Sequence, residues 1–187
     1  MALQIPIPKD RQLYLAKQVN QDSMNDLSKA ILEINEDDEY ISKLSAIHSL
    51  TYNPQPIKIY IDSYGGSVYQ CLGLLGIMEK SIIPVHTIVT GCAMSCGFLI
   101  AVAGHKRFAY DKATLMYHQV STGFEGKLKD MEDDVFETKR LQKIIEQHTL
   151  SKTSLTKKQL EDNYNSKKDW FMTTKEALKY KVIDSII

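Results

Sequence analysis

Long hydrophobic runs are missing from this sequence. Nowhere do eighteen apolar residues follow one another, so no stretch could cross a bilayer as a helix. The opening Met1-Ala2-Leu3-Gln4-Ile5-Pro6 has no basic segment leading into an apolar one, as a secretory leader would, and neither export nor membrane insertion is expected. Cysteine is scarce. Cys71, Cys92 and Cys96 are odd in number and form no Cys-x-x-Cys pair, which excludes a disulfide framework and a cysteine zinc site and makes a reducing cytoplasm the expected compartment. An excess of one charge is also absent: 23 Lys and Arg balance 23 Asp and Glu, so bulk charge does not draw the chain to nucleic acid. What remains is globular material, 43% hydrophobic over 187 residues, enough for one domain with a real core at roughly 150 residues per domain.

Proline and glycine are few, 5 and 9 residues, so their clusters mark boundaries. Residues 1–10, with two prolines, read as a short arm before a strand at residues 12–15. Met24, Leu27, Ile31 and Ile34 recur at helical spacing, and Tyr40, Ile41, Leu44 and Ile47 give a second helical pattern. The charged run 35–39 between them reads as a solvated turn or a first helical turn. After Asn53-Pro54-Gln55-Pro56, the alternating Ile57-Lys58-Ile59-Tyr60-Ile61 predicts a strand. The turn Asp62-Ser63-Tyr64-Gly65-Gly66-Ser67 follows, then a helical face of Val68, Cys71, Leu72, Leu75 and Met78. A β-rich run at 85–90 leads to a second junction, Gly91-Cys92-Ala93-Met94-Ser95-Cys96-Gly97, and an all-apolar buried helix at 98–103. Strands are predicted at 106–109 and 113–118. Leu128, Met131, Val135, Thr138, Leu141, Ile145 and His148 trace one stripe of a long helix. Thr173-x-x-Glu176 is a capping box, and Val182-Ile183 reads as a closing strand. The alternation implies an α/β fold with a largely parallel sheet.

If strands 57–61 and 85–90 are parallel neighbours, their carboxyl ends share one sheet edge and the two glycine junctions become one candidate site. Glycines there allow close backbone approach and leave amides free at a helix start, the donors an oxyanion needs. Gly65-Gly66-Ser67 matches neither the dinucleotide fingerprint nor the lysine-bearing phosphate loop. Ser95 sits where a nucleophile elbow would place it, although Ala93 replaces the first glycine of Gly-x-Ser-x-Gly. A serine nucleophile needs a base. Of the five histidines, His48 and His148 fall on helix surfaces or ends, His86 at a strand start and His105 in a turn. His118 closes a strand at the same edge. Spacing alone does not choose an orienting carboxylate. Cys92 and Cys96, four apart, could share a helix face, and read as small buried packing residues.

Several linked motifs narrow these choices. Residues 61–67 resemble an Ile-Asn-Ser-Pro-Gly-Gly segment, residues 91–97 a Gly-x-Ala-Ala-Ser-Met-Gly segment, residues 103–109 an Ala-Gly-x-x-Lys-Arg-Phe run, and Met116-Tyr117-His118-Gln119 a Met-Ile-His-Gln segment. All belong, in this order, to the Clp protease proteolytic subunit family of ClpP-type serine peptidases, and the resemblance covers residues 57–187. It implies the ClpP/crotonase-like fold with a handle-like helix in region 122–148. It makes Ser95 the nucleophile, His118 the base and Asp169, before Trp170-Phe171-Met172, the third member, with Asp162 the competitor. The amides of Gly66 and Cys96 would form the oxyanion hole. Substrate would be bound by Gly65, Ser67, Thr122, Gly123, Phe124 and Glu125 as an added strand.

The resemblance further implies unfolded polypeptide substrates, a double-ring homo-oligomer (a tetradecamer), and an AAA+ unfoldase or a second ClpP-type subunit as partner. No metal or organic cofactor is implied. Residues 36–56 are longer than the family's connection, and Tyr64 replaces the proline that pre-sets the glycine turn. The alternatives are a ClpP-like structural subunit without turnover, or a crotonase-type acyl-CoA enzyme whose paired amides hold an enolate.

Overall fold

A capping box starts the first helix: the Asn20 side chain accepts from Ser23 N, and the Ser23 hydroxyl accepts from Asn20 N. In the computed structural model, which describes residues 10–187, this helix α1 runs unbroken over Gln21–Ile47. The arm at residues 1–9 lies outside the described residues. Ser23, Met24, Leu27, Ile31, Ile34 and Asp38 form its buried stripe, and Asp38 occupies the next helical position after Ile34. The charged run 35–39 is therefore neither a turn nor a helix start, as the sequence reading had it, but the middle of one helix. Its polar groups find partners from other elements. Asn35 Oδ1 accepts from Ile82 N at 2.8 Å, and Asp38 receives Arg11 at 2.7 and 2.5 Å.

The remaining elements follow in the order β1 Gln12–Leu15, before α1, then β2 Ile57–Ser63, α2 Val68–Lys80, β3 Val85–Met94, α3 Cys96–Ala103, β4 Lys106–Ala109 and β5 Thr114–Tyr117. Next come α4 Leu128–Lys152, α5 Lys157–Ser166, β6 Trp170–Thr173, α6 Thr174–Lys179 and β7 Ser185–Ile186. Strands β1, β2, β3, β4 and β7 lie side by side in that order, all parallel. The long β3 serves two neighbours: residues 86–89 pair with β4 and residues 92–94 with β5. The sole antiparallel pairing in the described sheet joins β5 to β6. This is a largely parallel α/β architecture, with α4 its second long helix after α1.

Alternation decides which sheet face is covered. Ile57, Ile59 and Ile61 are fully buried, whereas Lys58 and Asp62 are exposed and Tyr60 is half-buried. All eight residues of α3 are buried beneath α2 and α4. On the opposite face Tyr14 stacks on Tyr60 at 5.2 Å, and Tyr60, His86 and Phe108 line a concavity of about 750 Å³. No serine or cysteine among the described residues lines that hollow, so size alone does not locate the chemistry.

Two further elements differ from the sequence reading. Val182 and Ile183 are buried but are no strand: Val182 N donates to Ala177 O to close α6, and the closing strand starts at Ser185. The helix α5 and strand β6 were not anticipated. Only Leu160 of α5 is buried, so no apolar stripe announces it, although Thr156 and Gln159 form a capping box.

Candidate active site

Three strand ends converge on one edge. The β3–β5 register ends with Met94 opposite Met116, so Ser95 is the first residue beyond β3, and Ser95 N donates to Met116 O at 2.9 Å. The β5–β6 register pairs Tyr117 with Trp170, which brings His118 opposite Asp169. His118 Nε2 lies 2.7 Å from Ser95 Oγ, and His118 Nδ1 lies 3.7 Å from Asp169 Oδ1. The Asp169 side chain is 53% exposed, so water screens that second contact. Asp162 stands on α5 and makes no ion pair with His118 among the described residues.

Ser95 has φ 54° and ψ −120°, a conformation that costs a side-chain-bearing residue about 1–3 kcal/mol. It turns β3 sharply into α3 and lifts the hydroxyl off the sheet edge. Cys96 is the first residue of α3, so its N–H has no carbonyl one turn back. The glycine pair packs directly against this turn. A Cβ on Gly65 (φ 96°) would lie 2.7 Å from Met94 O and 2.8 Å from Ser95 Cβ. One on Gly66 would lie 2.1 Å from Val19 O. Val19 N donates to Gly65 O, and Ser67 N donates to Val19 O, both at 2.8 Å. This bracketing points Gly66's own N–H and C=O to the other side, where the carbonyl accepts from Cys96 Sγ at 3.2 Å. Tyr64 is 80% exposed, and the turn is fixed instead by Ser63 Oγ donating to Lys17 O at 2.6 Å.

Beside the hydroxyl is a cleft of about 50 Å³ lined by Gly66, Val68, Ser95, Cys96, Leu99, Tyr117, His118, Val120, Ser121 and Ile145. It continues into a groove of about 280 Å³ walled by Ser67, Thr122 and Phe124 and by Thr138 and Leu141 of α4. Of the sequence-expected binding residues, Gly65 lies beneath the turn, and Gly123 and Glu125 do not line the groove. Val68, Leu99, Leu141 and Ile145 were read only as helix-stripe or buried-helix residues. No sequence signal separates those facing the cleft from those facing the core.

The other titratable groups are elsewhere. His48 is exposed at the end of α1, His86 is on the uncovered sheet face, and His105 Nδ1 accepts from Val85 N at 3.0 Å. His148 is not on a surface: its Nε2 reaches Leu99 O at 3.1 Å, and its side chain is 8% exposed. Cys92 lies in β3 rather than on a helix face with Cys96, and burial, then Asp62, pushes its thiol up to about 11. Cys71 is held well above the ordinary thiol range by hydrogen bonding to Cys96 and then by burial. No group of three His, Cys, Asp or Glu among the described residues could hold a metal ion, and no helix among them is long and apolar enough to cross a membrane.

An α/β sheet whose edge presents a serine hydroxyl on an imidazole beside free amides defines a hydrolase-like site. The Clp protease family profile matches residues 5–187, and the chain belongs to that family. It is 37% identical over 138 residues to an ATP-dependent Clp protease proteolytic subunit of Deinococcus radiodurans, covering 72% of this chain and 67% of that one. Against the subunit of the same name from Porphyromonas gingivalis it is 37% identical over 133 residues, 70% of this chain and 59% of that protein. Against the ATP-dependent Clp protease proteolytic subunit 2 of a Synechococcus species it is 28% identical over 181 residues, 96% of this chain and 84% of that one. Family and relatives support a ClpP-type peptidase.

Proposed function

We propose that this chain is a serine endopeptidase that cleaves unfolded polypeptides, with Ser95 as nucleophile, His118 as general base and Asp169 as its orienting carboxylate. The 2.7 Å contact between Ser95 Oγ and His118 Nε2 carries this reading. As the hydroxyl attacks a peptide carbonyl, His118 takes its proton at Nε2. The amides of Gly66 and Cys96 receive the oxyanion, each contributing about 3 kcal/mol to the transition state. The intermediate collapses, His118 returns the proton to the departing amine, and water then releases the acyl group by the same steps. The substrate backbone enters as an added strand in the groove between Ser67 and Thr122–Phe124, so recognition is of backbone more than of sequence. No metal or cofactor takes part.

The working form is a self-assembled double ring, a tetradecamer enclosing a chamber in the cytoplasm, supplied by an AAA+ unfoldase or joined by a second ClpP-type subunit. Exposed apolar residues at the start of α4 support assembly, since Leu128 is 76% and Phe136 74% exposed in the single chain. The test combines size analysis, casein cleavage and fluorophosphonate labelling of wild type and Ser95→Ala. Cleavage and labelling lost in an assembled Ser95→Ala supports the proposal. Labelling that survives the substitution, or an assembled wild type that neither cleaves nor labels, overturns it.

A further inference from the structure

We infer that Gln142, oriented by Glu146, is a positioning residue for the proposed peptidase, holding the segment after His118 so that the imidazole stays on Ser95. The inference rests on the serine peptidase reading above and deepens it. His118 is the first residue beyond β5, and no sheet pairing extends to the residues that follow. Two residues on, Val120 N donates to Gln142 Oε1 at 2.8 Å. Gln142 belongs to α4 and is 8% exposed, a buried amide facing a loop that would otherwise lack a fixed partner.

Chemistry fixes which way the amide points. Gln142 Nε2 donates to Glu146 Oε1 at 2.7 Å, one turn along α4. A backbone N–H only donates and a carboxylate only accepts, so a flipped amide would lose both bonds. The carboxylate thus sets the amide, and the amide sets the backbone. The buried hydroxyl of Tyr117, the last residue of β5, also lies beside the Gln142 amide. Tyr117 and Val120 both line the cleft beside Ser95, so a shift of this segment moves the imidazole and the cleft wall together.

The experiment measures fluorophosphonate labelling of Ser95, which reads the serine-histidine geometry without peptide binding, alongside kcat and KM for a fluorogenic peptide. The variants are Gln142→Met, Glu146→Ala and Glu146→Gln, each checked for assembly and folded fraction. Gln142→Met is expected to slow labelling and kcat by about tenfold with a smaller change in KM, since displacements of about 1 Å near the chemistry lower rates by up to about a hundredfold. Glu146→Ala gives a smaller loss, which Glu146→Gln, keeping an acceptor oxygen, recovers. Wild-type labelling per folded Gln142→Met molecule overturns the inference and leaves the peptidase reading standing. Absence of labelling in wild type overturns both.

Discussion

Two clusters in this molecule join polar side chains from distant parts of the chain, and they are built to opposite ends. In the first, Arg11 meets both Asp38 oxygens, at 2.7 and 2.5 Å, Tyr52 donates to Asp38 at 2.5 Å, and Arg11 also donates to Gln55 O at 2.8 Å. Asp38 is 1% exposed, and each of its oxygens has a partner. In the second, Ser95 and His118 are bonded, but Asp169 stands 3.7 Å away and half in water, and Gly66 and Cys96 line an open cleft. Saturation makes the first cluster a clamp between the chain just before β1, α1 and the segment before β2. Incomplete pairing leaves the second with the capacity to bind and react.

The sharpest way to break this contrast is Gly65→Ala. The added Cβ meets Met94 O at 2.7 Å and Cys96 N at 2.9 Å, on a backbone at φ 96°. Both proposed oxyanion donors and Ser95 must move, so peptide hydrolysis is expected to fall by about a thousandfold or more. Steady-state kinetics on the assembled variant checks this, and wild-type turnover would show that the glycine pair is not part of the site. On the clamp, Asp38→Asn leaves Arg11 without a counter-charge and is expected to cost about 3–5 kcal/mol. Turnover per folded molecule should stay unchanged. Burial opposes charge on Asp38, but the bonds from Arg11 and Tyr52 outweigh it and hold its carboxyl below the usual range. The clamp's contribution is therefore complete above about pH 4 and is lost as pH falls through the folded value. Urea denaturation against pH measures both.

The same contrast explains what could be read from residues alone. Gly65-Gly66, Ser95 and His118 were legible because strand ends, glycines and a helix start are local signals, and parallel pairing carries them to one edge. The clamp was misread because residues 35–39 have the composition of a solvated turn, and what pairs with the buried Asp38 is an arginine 27 residues earlier, just before β1. Strand β6 was missed for a related reason: its partner β5 lies more than fifty residues upstream, so its four residues carry no pattern of their own. Gln142 follows Leu141 in α4 and is not part of the apolar stripe read from the sequence. Its role depends on a loop contact that no helical period announces.

A milder test concerns Asp169. A carboxylate buried against its histidine is worth about ten-thousandfold in serine peptidases. At 3.7 Å and 53% exposed, Asp169 acts through a more dielectric-screened contact, so Asp169→Asn is expected to lower kcat by about ten- to a hundredfold. A full collapse would show that the contact tightens when substrate binds. An unchanged kcat would remove Asp169 from the proposed site and leave a serine-histidine pair acting without it.

The smallest expected effect concerns His148, which touches neither cluster but bonds to Leu99 of the cleft. Its Nε2 is 3.1 Å from Leu99 O, which makes it the protonated nitrogen, and its Nδ1 lies 4.0 Å from Glu79 Oε1. Burial holds this imidazole below the ordinary histidine value, against the Leu99 carbonyl and Glu79, while Lys152 acts in the same direction as burial. The native state thus prefers neutral His148, and the unfolded chain takes up the proton first as pH falls. Its contribution is complete above about pH 6.5 and declines as pH drops through the folded value. In His148→Gln, the slope of unfolding midpoint against pH between about 5 and 7 should flatten, with turnover at neutral pH little changed because the Gln amide can still reach Leu99 O. An unaltered slope would mean that another group titrates there. Turnover that falls with the midpoint would mean that the support under α3, like the segment after His118, helps to set the position of Ser95.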